Sequence, residues 1–210
     1  MSTRPASVRT GEGRPPGRPA KYSFDDVLET VVRVFNERGY EATSMEGLAR
    51  ATGMTKSGFY HHVSGKEQLL GLAVNRALDA LALVLGEPGT RQGRPVERLE
   101  HVLRRTAEVL VAELPYVTLL LRLRGNTEVE REAMSRRRQF DAKVAAIVAE
   151  AAAAGEIRAD VDPRLATRLL FGMVNSMTEW YRPSVRGDVG TADVGTAVVE
   201  LAMDALRARR

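Results

Sequence analysis

Apolar residues recur at spacings of three and four along most of this 210-residue chain. The first series follows Ser23 and consists of Phe24, Val27, Leu28, Val31, Val34 and Phe35. Such spacing places the apolar side chains on one face of an α-helix. No stretch shows the period-two alternation that is typical of a half-buried strand. The pattern therefore predicts an all-α fold.

Capping residues predict where the first two helices begin and end. Ser23 is suited to accept a hydrogen bond at the start of the first helix, and Gly39 to end it. Thr43 is expected to cap the second helix, with Glu46 at the return position of a capping box. The second helix is expected to stop at Gly53.

A third, very short helix is predicted from Thr55 to His62, and a fourth begins after Ser64, where Glu67 repeats the capping-box spacing. Phe59 and Val63 share one face of the third helix and are expected to pack inwards. A helix this short is not stable alone. It is therefore expected to be held by its neighbours, as the recognition helix of a helix-turn-helix is.

The later helices are predicted over residues 66–85, 95–114, 116–123, 128–154, 163–181 and 191–206, about nine helices in all. Residues 86–94 are rich in Gly, Pro and Arg and are expected to be a linker. The predicted organisation is a disordered basic arm at 1–21, a helix-turn-helix domain at 22–68 and a helical ligand-binding and dimerisation domain at 69–210.

The chain has no cysteine, which excludes disulfides and the zinc sites that depend on thiolates. A net charge of +4 is compatible with a polyanionic partner. Arg14 and Arg18 stand in repeated Gly-Arg-Pro segments of the arm, which suits either a solvated tail or insertion into a minor groove. No leader or membrane span is recognised, so a cytoplasmic location is expected.

The start of the third helix carries the side chains expected to meet DNA. Thr55, Lys56 and Ser57 suit base edges and phosphate oxygens, and Gly58 allows a close approach of the backbone. His61 and His62 diverge by roughly 100° on a helix and have no third ligand nearby, so no metal site is expected. No cofactor is expected either.

These segments resemble the DNA-binding domain of the TetR family of regulators. The residues that carry the resemblance are Val34-Phe35-Asn36-Glu37-Arg38-Gly39-Tyr40, Thr43-Ser44-Met45-Glu46-Gly47-Leu48-Ala49, Gly53-Met54-Thr55-Lys56-Ser57-Gly58-Phe59-Tyr60-His61-His62-Val63 and Lys66-Glu67. The resemblance implies a nine- or ten-helix fold, a homodimer, a palindromic operator and release by a small-molecule effector.

Carried over by position, the resemblance implies phosphate contacts for Thr43, Ser44 and Lys66. It implies contacts to bases or backbone for Lys56, Ser57, Tyr60, His61 and His62. Two positions depart from the family pattern: Gly47 lies inside the second helix, and Val63 replaces a more usual phenylalanine.

The predicted helix at 163–181 is apolar nearly all round, which favours one face towards the core and one towards a second subunit. Its end, Trp180-Tyr181-Arg182-Pro183, is similar to TetR-type regulators that sense acyl-coenzyme A thioesters. The candidate effector residues are Arg122, Met173, Asn175, Met177, Trp180 and Arg182. An apolar or aromatic effector of another class remains an alternative. Arg136, Arg137 and Arg138 are expected to form a solvated stripe.

The sequence therefore predicts a ligand-responsive transcriptional repressor and not an enzyme, since no nucleophile–base pair or phosphate-cradling loop is present. Two alternatives remain: a non-specific architectural DNA-binding protein, and a small-molecule-binding protein without DNA specificity.

Overall fold

The computed structural model describes residues 23–182 and 191–207, and within these ranges it contains ten α-helices and no strand. The helices are α1 (Phe24–Arg38), α2 (Met45–Thr52), α3 (Lys56–His62), α4 (Lys66–Gly86), α5 (Pro88–Arg91), α6 (Pro95–Ala112), α7 (Leu114–Leu121), α8 (Glu128–Ala153), α9 (Pro163–Trp180) and α10 (Thr191–Leu206). The all-α prediction is confirmed. Arg14 and Arg18, with the rest of the predicted arm, lie outside the described residues.

The tenth helix is α5, which lies in the segment predicted to be a linker. Pro88 occupies its first turn, where a missing N–H costs nothing. The buried Thr90 hydroxyl donates to the Val84 carbonyl at 2.6 Å, and the Arg98 guanidinium donates to the Thr90 carbonyl at 2.8 Å. These contacts fix a turn that composition alone does not reveal, and they correct the predicted count of about nine helices.

The cap of α2 differs from the prediction. Ser44 is the N-cap residue, and its hydroxyl accepts the Gly47 N–H at 3.1 Å. Thr43 is buried, and its hydroxyl donates to the Gly39 carbonyl at 2.7 Å. The Thr43–Glu46 capping box is therefore wrong, because the turn after α1 draws Thr43 into the interior.

The start of α4 also differs. Gly65 is its N-cap residue and supplies no side-chain hydrogen bond. The Gln68 side-chain oxygen accepts the Ser64 N–H at 2.6 Å and the Ser64 hydroxyl at 3.0 Å. The predicted Ser64–Glu67 capping box is thus replaced by a glutamine one position further on.

Two apolar clusters build the core. The first joins α1, α2, α3 and α4 with α7, and the second joins α6, α8, α9 and α10. Helix α4 runs without a break through the predicted domain boundary at 68/69. By length and composition alone, α4 could cross a membrane. Seven of its apolar residues are instead buried in this core. The predicted helix-turn-helix region and the larger helical region therefore share one packed helix.

Candidate nucleic-acid interface and internal cavity

Helix α3 is held from beneath by two buried apolar side chains. Phe59 is 2% exposed and Val63 is 3% exposed, which confirms the predicted inward face. At the helix start, the Thr55 hydroxyl accepts the Gly58 N–H at 3.1 Å. A Cβ at Gly58 would lie 3.0 Å from the same hydroxyl oxygen. Glycine at position 58 therefore leaves space for the Thr55 hydroxyl that caps α3.

The opposite side of α3 presents polar and aromatic side chains to solvent. Tyr60 is 47% exposed, and the other exposed members of this surface are Ser44, Thr55, Lys56, Ser57 and His61. The side chain of His62 lies outside the part of the molecule that the structure describes. We name Ser44, Thr55, Lys56, Ser57, Tyr60 and His61 the α3 surface. Thr43, a predicted phosphate contact, is not part of it because it is buried.

Lys66 is positioned by the turn after α1. Its ammonium donates to the Tyr40 carbonyl at 2.8 Å and lies 4.2 Å from the centre of the Tyr40 ring. Burial, together with the charges of Glu67 and Glu41, raises the pKa of Tyr40 to about 12, so the phenol stays neutral. An ammonium has three donors. A further N–H of Lys66 is thus compatible with the predicted phosphate contact.

Three hydrogen bonds tie the end of α1 and the turn after it to the larger helical region. The Asn36 amide donates to the Pro115 carbonyl at 2.8 Å, and Arg122 donates to the Asn36 carbonyl at 2.7 Å. The third bond, from the Asn126 side chain to the Glu41 carboxylate, is long at 3.5 Å. Arg122, predicted to meet an effector, is therefore placed at the junction of the two regions.

The loop before α8 is organised around one buried carboxylate. Glu130 is 4% exposed, and its carboxylate accepts the N–H groups of Arg124, Gly125 and Asn126 at 2.9, 2.7 and 3.2 Å. The Thr127 hydroxyl caps α8 as predicted, accepting the Glu130 N–H at 3.2 Å. Hydrogen bonds to an ionised group are the stronger ones. Glu130 thus fixes the loop that contains Asn126.

We expect Glu130→Ala to lower the free energy of unfolding by about 2–3 kcal/mol, because three backbone N–H groups lose a charged acceptor. Thermal or urea unfolding measures the effect. Glu128→Ala is the matched control, since the Glu128 side chain is 80% exposed in the same helical turn. Equal stability of the two variants would contradict a structural role for the Glu130 carboxylate.

A small cavity of about 30 Å³ lies among α4, α6, α7, α8 and α9. Its lining is Leu81, Thr106, Leu110, Val117, Leu120, Leu121, Arg137, Phe140, Asp141, Phe171 and Asn175. Most of these side chains are apolar, as in sites for small organic ligands. Burial raises the pKa of Asp141, against the opposing effect of Arg137 and Arg168. The cavity thus combines apolar walls with a few polar groups.

The predicted effector residues are not brought together. Only Asn175 lines the cavity. Met177 is fully buried in the core, whereas its neighbours on the same side of α9, Met173 and Trp180, are 37% and 50% exposed. Arg182 is exposed and donates to the Tyr181 and Glu179 carbonyls. The prediction grouped residues by sequence proximity, but Asn175 lies on the other side of α9 from Met173 and Trp180, and Arg122 and Arg182 lie just beyond helix ends.

Of the three arginines predicted to form a solvated stripe on α8, Arg138 is exposed, whereas Arg136 and Arg137 are partly exposed. Arg136 donates to Asn75 at 2.7 Å and to Asp79 at 2.6 Å, which ties α8 to α4. Arg137 lines the cavity. Sequence reasoning therefore missed Arg137, and it also missed Thr106 and Asp141, which no motif marks.

An exposed apolar stripe runs along α9. Leu165, Leu169, Met173 and Trp180 recur at helical spacing and are 51%, 59%, 37% and 50% exposed. We name these four residues the α9 face. On α10, Leu201 is 64% exposed. Contiguous exposed apolar side chains mark interaction surfaces. The arrangement matches the prediction that this helix has two apolar sides, one of which faces the core.

A larger open groove of about 360 Å³ lies between α6 and α10, and four of its five charged side chains form ion pairs with one another. Arg104 binds Glu100, and Arg207 binds Asp204. Because its lining is mostly apolar, we regard the cavity among α4, α6, α7, α8 and α9, and not this groove, as the candidate ligand site.

An exposed short helix held by buried side chains on a helical body is the arrangement of a helix-turn-helix DNA-binding domain. Residues 27–73 match the family described as "Bacterial regulatory proteins, tetR family". Residues 92–206 match "Tetracyclin repressor-like, C-terminal domain". The chain belongs to the TetR family of transcriptional regulators, which are not enzymes.

Several solved or characterised proteins are similar to the chain. SCO3833, a TetR family member from Streptomyces coelicolor A3, is 58% identical with a TM-score of 0.81, covering 87% of this chain and 91% of that one. AibR, solved in complex with isovaleryl coenzyme A and operator DNA, is 29% identical with a TM-score of 0.71, covering 85% and 96%. The transcriptional repressor KstR2 of Mycolicibacterium smegmatis is 25% identical over 188 residues, covering 86% and 88%.

Proposed function

We propose that the protein is a cytoplasmic homodimeric repressor that binds a palindromic operator and leaves it when a small molecule enters the internal cavity. The observation that carries this proposal is the α3 surface, a polar face held by the buried Phe59 at the position of a recognition helix. Residues 22–68 form the DNA-binding domain in this proposal, and residues 69–210 bind the effector and the second subunit.

DNA contacts are assigned to the exposed side chains of the α3 surface, with Lys66 and the backbone at Gly58 beside them. His62 and the arm residues Arg14 and Arg18 belong to the same proposal, the arm adding phosphate or minor-groove contacts. Thr43 is not assigned a phosphate contact, because it is buried and its hydroxyl donates to the Gly39 carbonyl. Phosphate contacts position the protein and base contacts give specificity.

Dimerisation is assigned to the α9 face, extended by Leu201 on α10. A symmetric dimer places the same patch of each subunit against the other. Two α3 helices related by a two-fold axis match a palindromic site.

The effector is assigned to the cavity, and we propose an acyl-coenzyme A thioester as its chemical class. The similarity to AibR, which was solved in complex with isovaleryl coenzyme A, supports this class. The apolar walls suit an acyl chain. Arg137 lines the cavity beside Asp141, and in this proposal its guanidinium pairs with an anionic group of the effector.

Release requires the effector to favour a form of the dimer that fits the operator poorly. A tenfold loss of operator affinity needs only about 1.4 kcal/mol of coupling. The junction formed by Asn36, Pro115 and Arg122 is the contact through which α7 would act on α1.

A gel-shift assay with DNA from upstream of the chain's own gene tests the regulator proposal. We expect binding that resists competitor DNA, and weaker binding by a chain that lacks residues 1–20. Equal binding to any sequence with a steep salt dependence would instead identify an architectural protein. Failure to bind any DNA would leave only small-molecule binding.

The effector class is tested on the same complex with isovaleryl coenzyme A, free isovalerate and toluene. We expect the thioester to release the DNA and to stabilise the free protein by about 2.7 kcal/mol at a hundredfold excess over its Kd. Stabilisation by toluene alone would exclude the thioester class.

A further inference from the structure

One buried hydroxyl in the cavity has no hydrogen-bond partner. Thr106, on α6, is 5% exposed, and its hydroxyl oxygen is fully buried and unpaired among the described residues. It belongs to the cavity lining. A buried hydroxyl without a partner costs free energy, so native proteins seldom leave one unpaired.

Other helical threonines in the structure donate their hydroxyl hydrogen to a carbonyl of their own helix. Five of them donate to a carbonyl three or four residues earlier, at 2.7–3.1 Å: Thr30, Thr52, Thr118, Thr167 and Thr178. Thr106 does not form this bond. Among the described residues its hydroxyl oxygen is thus left without a partner beside the cavity, and a ligand reaches it when the walls move.

The surroundings of Thr106 suit a molecule that is apolar except for one oxygen. The ring centres of Phe140 and Phe171 lie 5.5 Å apart, and both rings line the cavity. Asn175 and Asp141 add polar groups to the lining. A volume of about 30 Å³ admits only a few heavy atoms. An effector would therefore place a short part of its structure next to Thr106, with some movement of the walls.

We propose that Thr106 is a specificity-determining residue that pairs with a carbonyl or hydroxyl oxygen on the apolar part of the effector. This inference rests on the proposed use of the cavity as the effector site. It selects oxygen-bearing effectors over hydrocarbon groups of the same shape, because only the former satisfy the buried hydroxyl.

The test uses phenol and toluene, which differ by a hydroxyl in place of a methyl group. Their affinities for the full-length protein without DNA are measured by ligand-observed NMR titration. The variants are Thr106→Val, which keeps the shape without the hydroxyl, and Thr106→Ser, which keeps the hydroxyl. Thr118→Val is the control, since Thr118 is already bound to the Leu114 carbonyl and does not line the cavity.

We expect the ratio of phenol to toluene affinity to fall by about three- to tenfold in Thr106→Val, the value of one ordinary hydrogen bond. The ratio should be unchanged in Thr106→Ser and in Thr118→Val. Thr106→Val should also melt at or above the wild-type temperature, because it removes an unpaired buried hydroxyl.

An unchanged ratio in Thr106→Val, or no binding of either probe to the wild type, would overturn the role of Thr106. These outcomes are separate from the effector class proposed above. If isovaleryl coenzyme A fails to release DNA while the phenol–toluene ratio responds to Thr106, the thioester class fails and the cavity assignment stands. If isovaleryl coenzyme A releases DNA and the phenol-to-toluene ratio is unchanged in Thr106→Val, only the role of Thr106 fails.

Discussion

Replacing Tyr60 or Lys56 with alanine should weaken operator binding by about 30- to 1,000-fold while leaving the fold intact. Each lost contact to a base or phosphate is worth about 1–2 kcal/mol, and a symmetric dimer loses it twice. Tyr60 is 47% exposed, so its removal costs little packing. Fluorescence anisotropy on operator and on unrelated DNA measures both affinity and specificity.

The matched control is Lys143→Ala, which removes the same charge from an exposed position on α8. It should leave operator affinity nearly unchanged. Tyr60→Ala is expected to reduce the preference for the operator, whereas Lys56→Ala should also reduce the salt dependence if Lys56 binds phosphate. Wild-type affinity for the Tyr60 and Lys56 variants would show that another surface reads the DNA.

Replacing Leu169 with lysine should convert the dimer into monomers and abolish tight operator binding. Leu169 is 59% exposed at the middle of the α9 face, and burying a leucine is worth about 1.5–3 kcal/mol. A two-fold interface loses this contribution twice and gains two charges that are costly to bury. Light scattering after size-exclusion chromatography measures the mass, and anisotropy measures the operator affinity.

Leu83→Lys controls for a general effect of charge on an exposed leucine. Leu83 is 73% exposed on α4, outside the α9 face. This variant should remain dimeric and bind DNA as the wild type does. A dimer that survives Leu169→Lys would exclude the α9 face as the subunit interface, without affecting the assignment of the α3 surface.

Helix ends show how far local sequence information reaches. Gly39 and Gly53 end α1 and α2 at positive φ angles of 86° and 68°, as their positions predicted. The caps Ser23, Thr55 and Thr127 were also found where they were predicted, because a cap needs only residues three positions apart. Thr43 failed as a cap because a turn stabilised by other contacts buried it.

The sequence by itself determined the helical content, most helix boundaries and the α3 surface, since periodicity and capping act within a few residues. Only the tertiary structure decided that Arg122 joins α1, 86 residues away in sequence, and that Trp180 faces outwards beside a buried Met177. It alone assembled the cavity around Thr106 from five helices. Contacts between distant segments depend on how whole helices pack, and no local pattern encodes that packing.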